Sequence, residues 1–126
     1  MVVDTSILLA IVFNEAKGPW WVKQLQDHAA EPLMSTVNYA EALILISDRQ
    51  PKLASQLRDQ ISALPIGFVA PSAQQVEIAA AARMRFPLNL VVCFAYALAK
   101  EEECGLLTLD RNFRKTDLLV LLPPAK

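Results

Sequence analysis

The chain has 126 residues, the length of one ordinary domain, and 54% of them are hydrophobic while 20% are charged. This composition excludes a disordered chain, and the formal net charge of −1 excludes a uniformly basic nucleic-acid binder. Cys93 and Cys104 form no C-x-x-C pair and the chain has one histidine, so we do not expect a zinc site. No early apolar run is long enough to cross a bilayer, and we expect a cytoplasmic protein with no membrane association.

Short apolar runs alternate with helical patterns along the whole chain. In chain order, strands are predicted at Val2–Val3 and within the segments PLMST, IGFVAPS, GLLTLD and LLVLL. Helices are predicted after each of the first three strands, with Ser72 as an N-cap, a break at Pro87 and a further helix from Leu88 to Glu103 before the fourth strand. The alternation predicts an α/β fold with a mostly parallel central sheet of about five strands, in a single domain covering residues 1–126.

Three carboxylates fall where this fold would gather them. Asp4 ends the first strand, Asp110 ends the fourth, and Glu41 lies on the first helical turns after the second. Ligands of open α/β sheets bind at the carboxyl ends of the strands, so we expect the three side chains to share one edge. Carboxylates repel one another unless a cation lies among them, and hard oxygen donors suit Mg²⁺ or Mn²⁺. Such a site polarises a phosphate and activates water.

Each of these residues also has a simpler interpretation. Asp4 is suited to N-cap the helix that follows it. Glu41 is spaced to pair with Asn38 in an Asn-x-x-Glu capping arrangement. Asp110 is suited to hold a turn with Asn112. Taken singly, these structural roles are favoured, and only the convergence of three carboxylates on one edge favours the metal site.

Four segments of the chain are familiar in their order and spacing. VVDTSILLAIVFNE, STVNYAEAL, LNLVVCFAYALAK and LLTLDRNFRKTDL together resemble the PIN-domain proteins, and most closely the VapC-type toxins of bacterial toxin–antitoxin pairs. The resemblance implies a PIN-like three-layer sandwich with the sheet between helices. It further implies an endoribonuclease that depends on Mg²⁺ or Mn²⁺ and cleaves RNA phosphodiesters. The implied partners are a second copy in a homodimer and a cognate antitoxin protein.

The resemblance assigns roles to individual positions. Asp4, Glu41 and Asp110 match acidic residues that are catalytic and bind the metal, and Asn112 matches a further metal-binding position. The third acidic position of the family is missing. Similar proteins tend to read Leu-Asn-x-Gly-Asp-Cys at this helix start, whereas this chain reads LNLVVC, so Val92 stands where the aspartate would be.

The resemblance and the local charge also suggest a substrate groove. Ser6 and Thr108 match hydroxyl positions that line the groove of the family. Arg111 and Arg114 form a basic patch beside Asp110, which we expect to contact the phosphate backbone of RNA.

Valine at position 92 removes one negative charge and one metal ligand. We therefore expect weaker metal binding and a loss in cleavage rate of about 10²–10³. The competing interpretation is a non-catalytic PIN module that acts through dimerisation and antitoxin binding. A phosphate-receiver type of α/β domain also clusters carboxylates at strand ends, but the helix-borne Glu41 and the lack of a suitably placed lysine count against it.

Overall fold

The computed structural model describes residues 1–15, 17–27 and 30–122. Five strands form one sheet in the order β3-β2-β1-β4-β5, and every neighbouring pair is parallel. The strands are β1 (Val2–Val3), β2 (Leu33–Ser35), β3 (Gly67–Val69), β4 (Leu106–Leu107) and β5 (Val120–Leu121). The helices are α1 (Thr5–Val12), α2 (Gly18–Asp27), α3 (Thr36–Arg49), α4 (Ala54–Ser62), α5 (Ala73–Arg85) and α6 (Leu90–Glu101), and a 3₁₀ helix spans Arg111–Lys115. The α/β prediction is confirmed.

The two residues of β1 bury their side chains in two different cores. Val3 packs with residues of α1 to α4, together with Met34 and Leu107 of the neighbouring strands. Val2 packs with residues of α5 and α6, together with Leu106. Successive side chains of a strand point to opposite faces, so two adjacent valines are enough to hold a helical layer on each side. The fold is therefore a three-layer sandwich, and its strands are buried on both faces.

The helix ends agree with the capping residues in the sequence. Ser72 caps α5 by accepting a hydrogen bond from the Gln75 amide at 3.1 Å. Asn89 caps α6, because its Oδ1 accepts from the Val92 amide at 2.9 Å. The helix therefore begins at Leu90, two residues later than predicted, and it ends at Glu101. Among the described helices, none has the length and apolarity that a bilayer crossing requires.

The parallel sheet brings three chain segments together at one edge. β1 lies between β2 and β4, so the residues that follow these strands are neighbours. The amide of Asp4 continues the ladder beyond β1 by donating to the carbonyl of Leu107 at 3.3 Å. This edge therefore holds Asp4, the start of α3 and the segment after β4.

Candidate functional site

Asp4 occupies the turn between β1 and α1. Its backbone is extended, and its Oδ1 accepts hydrogen bonds from the Ser6 amide at 3.1 Å and the Ser6 hydroxyl at 2.5 Å. The residue is thus the N-cap of α1, as one of the simpler interpretations predicted. Its side chain is nevertheless almost enclosed, since only 3% of the residue is exposed. A capping role alone does not require such burial, because N-caps lie commonly at the surface.

Thr108 connects Asp4 to the segment after β4. Its hydroxyl donates to Asp4 Oδ2 at 2.5 Å and accepts from the Asp110 amide at 2.8 Å. A second link runs through Ser6, whose hydroxyl oxygen accepts from the Leu109 amide at 3.0 Å. Ser6 and Thr108 therefore orient Asp4 with one hydroxyl on each carboxylate oxygen and fix its distance from Asp110.

The surroundings of Asp4 raise its pKa from 3.8 to about 6. The main cause is burial, which disfavours the charged form, and the negative charge of Asp110 adds to it. The hydrogen bonds from Ser6 and Thr108 oppose the rise, because they stabilise the carboxylate. Asp4 and Asp110 are thus close enough for their charges to interact, and Asp4 is largely ionised at neutral pH.

Asp110 also has the structural role predicted for it. Its Oδ1 accepts from the Asn112 amide at 2.9 Å and caps the 3₁₀ helix. The Asn112 side chain is exposed, as are those of Arg111 and Arg114 on the same 3₁₀ helix. None of these three residues lines the pocket described below.

Glu41 reaches the site from the second turn of α3. The helix begins at Thr36 because Ser35 caps it, the Ser35 hydroxyl accepting from the Val37 amide at 3.2 Å. The interpretation of Asn38 and Glu41 as a capping pair is therefore wrong, since Asn38 lies inside the helix. Glu41 is half-buried and free of that local role.

Asn38 is the site residue that the sequence analysis missed. Its carbonyl accepts from the Thr5 hydroxyl at 3.0 Å, and its side-chain Nδ2 donates to the carbonyl of Val91 at 3.3 Å. Its Oδ1 has no hydrogen-bond partner within the described part of the chain. The available signal was periodicity, because Asn38 shares a buried stripe of α3 with Ala42 and Ile46.

Val92 faces the same region from the first turn of α6. The side chain is half-buried and packs against the core formed with α5. Its amide is satisfied by Asn89, so the start of α6 is stable without an acidic residue. Valine at position 92 is therefore compatible with the fold of this edge.

These residues enclose a pocket of about 180 Å³. All three predicted carboxylates contribute to its wall, and so do Val92 and Asn38. Thr108 lies behind Asp4, outside the lining. The pocket is lined by Asp4, Thr5, Ser6, Leu9, Asn38, Glu41, Leu45, Asn89, Val92 and Asp110.

The oxygen donors of this pocket suit a hard divalent cation. Carboxylate and amide oxygens are the ligands that Mg²⁺ and Mn²⁺ prefer. Across residues 1–15, 17–27 and 30–122, however, no three His, Cys, Asp or Glu side chains are close enough together to hold a metal ion. Asp4 and Asp110 are the pair whose charges interact, and Glu41 shares their pocket. The donor set fits a cation in its chemistry, although its three carboxylates are not drawn tightly around one point.

Comparison with known proteins identifies the family. The PIN domain family model matches residues 1–119. This chain belongs to the PIN-domain family. A relative named Ribonuclease VapC, from Mycolicibacterium smegmatis, is 33% identical to this PIN domain over 94% of the chain and 97% of the relative. PIN-domain ribonucleases generally depend on a divalent metal ion.

Two solved structures share the fold of this PIN domain. The structure of VapC20 from Mycobacterium tuberculosis, described as a sarcin-ricin loop cleaving toxin, has a TM-score of 0.79 at 16% identity and covers 97% of this chain and 98% of its own. A toxin–antitoxin complex from Klebsiella pneumoniae has a TM-score of 0.74 at 18% identity and covers 95% and 94% of the two chains. Both matches extend over almost the entire three-layer sandwich.

Proposed function

We propose that this PIN domain is a VapC-type endoribonuclease whose site binds Mg²⁺ or Mn²⁺ through Asp4, Glu41 and Asp110. One observation carries the proposal: three acidic residues from distant parts of the chain line a single pocket of about 180 Å³ at the carboxyl edge of the sheet. The mycolicibacterial relative is named Ribonuclease VapC, and this name supports phosphodiester cleavage as the reaction and RNA as the substrate.

Each residue has a definite task in this proposal. Asp4 provides a charged oxygen at neutral pH, held in place by Ser6 and Thr108. Asp110 adds a second charge, and Glu41 adds a third from α3. When bound, the divalent cation polarises the scissile phosphate and lowers the pKa of water. Asn112 is proposed as a further donor, which requires its exposed side chain to turn towards the pocket.

The proposal includes an impaired site. Val92 supplies no oxygen donor, and its methyl groups exclude water from the wall where a carboxylate would stand. The site therefore carries one negative charge fewer than a four-acid site, which weakens its attraction for a dication. We expect this chain to bind the cation more weakly and to cleave RNA about 10²–10³ times more slowly than a variant with an acid there.

Partners and location complete the proposal. An antitoxin protein is proposed as a partner, because a structural neighbour from Klebsiella pneumoniae is a toxin–antitoxin complex. We further propose a homodimer, one domain over residues 1–126, and action in the cytoplasm, where RNA is available. The family match over residues 1–119 supports the domain assignment.

The deciding experiment restores the missing acid. We expect Val92→Asp to cleave RNA in the presence of Mn²⁺ or Mg²⁺ at about 10²–10³ times the rate of the parent chain. Val92→Asn is the matched control, because it has the same shape without the charge and should recover much less. Chelation of the metal should abolish the gain. A Val92→Asp protein that folds yet stays inert on several RNAs with both cations would contradict the proposed role of position 92.

The second candidate is a PIN module without catalysis, which acts by dimerisation and antitoxin binding. Val92 in the pocket wall favours it, since the site lacks an acid that the reaction would use. Cation titration separates the two candidates. A nuclease site binds Mn²⁺ even when impaired, whereas a purely structural module has no need of it.

A further inference from the structure

Asn38 is a buried polar residue with one unsatisfied side-chain atom. Only 1% of the residue is exposed, and its Oδ1 has no hydrogen-bond partner in the described part of the chain. A buried acceptor without a partner is costly, so most such atoms in native proteins are satisfied by a group, a water molecule or an ion. This atom belongs to a residue that lines the acidic pocket.

The orientation of the Asn38 amide is set by its neighbours. Nδ2 donates to the carbonyl of Val91 at 3.3 Å. If the side-chain amide were flipped, its oxygen would face this carbonyl in place of the nitrogen. Two oxygen acceptors facing each other repel, so the network assigns the nitrogen to Val91 and leaves Oδ1 for another donor. The Thr5 hydroxyl, bound to the Asn38 carbonyl at 3.0 Å, fixes the backbone of the residue.

This orientation places Asn38 between the parts of the site. It lies three residues before Glu41 on α3, so the two side chains share a side of the helix. Its bond to Val91 ties it to the residue next to Val92 on α6. Asn38 therefore links α3, which carries Glu41, to the start of α6, where Val92 provides no acid.

We propose that Asn38 Oδ1 is a neutral oxygen ligand of the divalent-cation site, and that it holds the cation on the side where Val92 provides nothing. This inference rests on the proposed function, since it concerns the same site. Amide oxygens of asparagine are established ligands of hard cations. A neutral ligand adds coordination without adding to the repulsion among the three carboxylates.

The experiment compares two substitutions at Asn38, measured by Mn²⁺ titration calorimetry and by the rise in Tm that Mn²⁺ causes. Asn38→Leu keeps the branched shape and the number of side-chain heavy atoms but replaces the amide by methyl groups, and we expect Mn²⁺ to bind at least tenfold more weakly. Asn38→Asp keeps the oxygen and adds charge, and we expect tighter Mn²⁺ binding. The same Asn38→Asp protein should have a lower Tm without metal, because its carboxylate faces the Val91 carbonyl.

This opposite response separates a ligand from a structural residue. If Asn38 only ties α3 to α6, both substitutions lower the Tm and the Mn²⁺ affinity together. Asn89→Asp is the control for charge, since Asn89 lines the same pocket and aspartate is an equally good N-cap. An equal gain in affinity from Asn89→Asp would overturn the inference, because the gain would then come from general electrostatics.

The titrations are made in the parent chain and in the Val92→Asp background. Mn²⁺ binding that the Asn38 substitutions leave unchanged would overturn this inference alone and leave the proposed function standing. Absence of Mn²⁺ binding in both backgrounds would overturn the inference together with the proposed function. A water molecule on Oδ1 that persists in a crystal structure with bound Mn²⁺ would also overturn it.

Discussion

Thr108 and Asp4 lie 104 residues apart in the chain, and the hydroxyl of Thr108 donates a hydrogen bond of 2.5 Å to Asp4 Oδ2. The same hydroxyl accepts from the Asp110 amide at 2.8 Å, so one buried side chain sets the positions of two acidic residues. The pairing of β1 with β4 makes this contact possible. The acidic pocket is thus supported by hydroxyl groups that stand behind it.

The support from Thr108 is testable by removing its hydroxyl. Thr108→Val preserves the shape but leaves Asp4 Oδ2 and the Asp110 amide without this partner. We expect the free energy of unfolding at neutral pH to fall by about 1–3 kcal/mol, measured by urea denaturation. Thr108→Ser is the control, because it keeps the hydroxyl and loses only a methyl group. If the valine variant were no less stable than the serine variant, the hydrogen bonds would have little energetic importance.

The raised pKa of Asp4 gives a pH dependence of known sign. The folded protein holds the proton more tightly than the unfolded chain, since the pKa is about 6 in place of 3.8. In the metal-free protein, the charged form therefore opposes folding above pH 6, and the opposition disappears below about pH 4. Asp4→Asn has no such titration. We expect the stability of this variant, relative to the parent, to be about 2–3 kcal/mol more favourable at pH 7 than at pH 4.

The free energy of unfolding of both proteins is measured by denaturant unfolding in chelator at several pH values. The hydrogen bonds that the variant lacks lower its stability equally at each pH, so they do not affect the change with pH. If the difference in unfolding free energy between the parent and Asp4→Asn stays constant from pH 7 to pH 4, Asp4 has an ordinary pKa. At neutral pH, Mn²⁺ should raise the stability of the parent and not that of Asp4→Asn, because the cation stabilises only the protein that keeps the carboxylate.

The basic residues beside the site predict a salt effect on RNA binding. Arg111 and Arg114 are exposed on the 3₁₀ helix that Asp110 caps. We expect Arg111→Ala and Arg114→Ala each to weaken binding of single-stranded RNA in chelator. Each should also reduce the slope of log affinity against log salt by about 0.7, the value for one lost phosphate contact. Arg83→Ala on α5 is the matched control and should change neither quantity. Equal effects from all three variants would indicate only a loss of net charge.

The sequence was most informative where local chemistry decides the structure. The capping roles of Asp4 and Ser72 and the turn that Asp110 holds with Asn112 were predictable, because capping and turns are properties of a few neighbouring residues. The parallel sheet was predictable from the alternation of strands and helices along the chain. The capping pair assigned to Asn38 failed for a related reason. Ser35, three residues earlier, accepts from the Val37 amide in the first turn of α3 and already serves as the N-cap of this helix.

The relationships between distant elements were less predictable. The sheet order β3-β2-β1-β4-β5, and with it the contact between Asp4 and Thr108, depends on how strands pair across the chain. The partner of Asn38 is a carbonyl on α6, and nothing near Asn38 in the sequence indicates where α6 passes. The apolar start of α6 was visible in the sequence itself, but only comparison with a family pattern indicated that Val92 replaces an acid.

A crystal structure of the protein soaked in Mn²⁺, with anomalous scattering to locate the metal, tests the central claim most directly. We expect one anomalous peak in the pocket, with oxygens of Asp4, Glu41 and Asp110 within about 2.0–2.6 Å of it. Glu41 should move towards the two aspartates relative to its position in the metal-free protein. If Mn²⁺ at saturating concentration binds only elsewhere on the surface, or if the pocket shows no anomalous peak, the assignment of this edge as a metal-dependent nuclease site is contradicted.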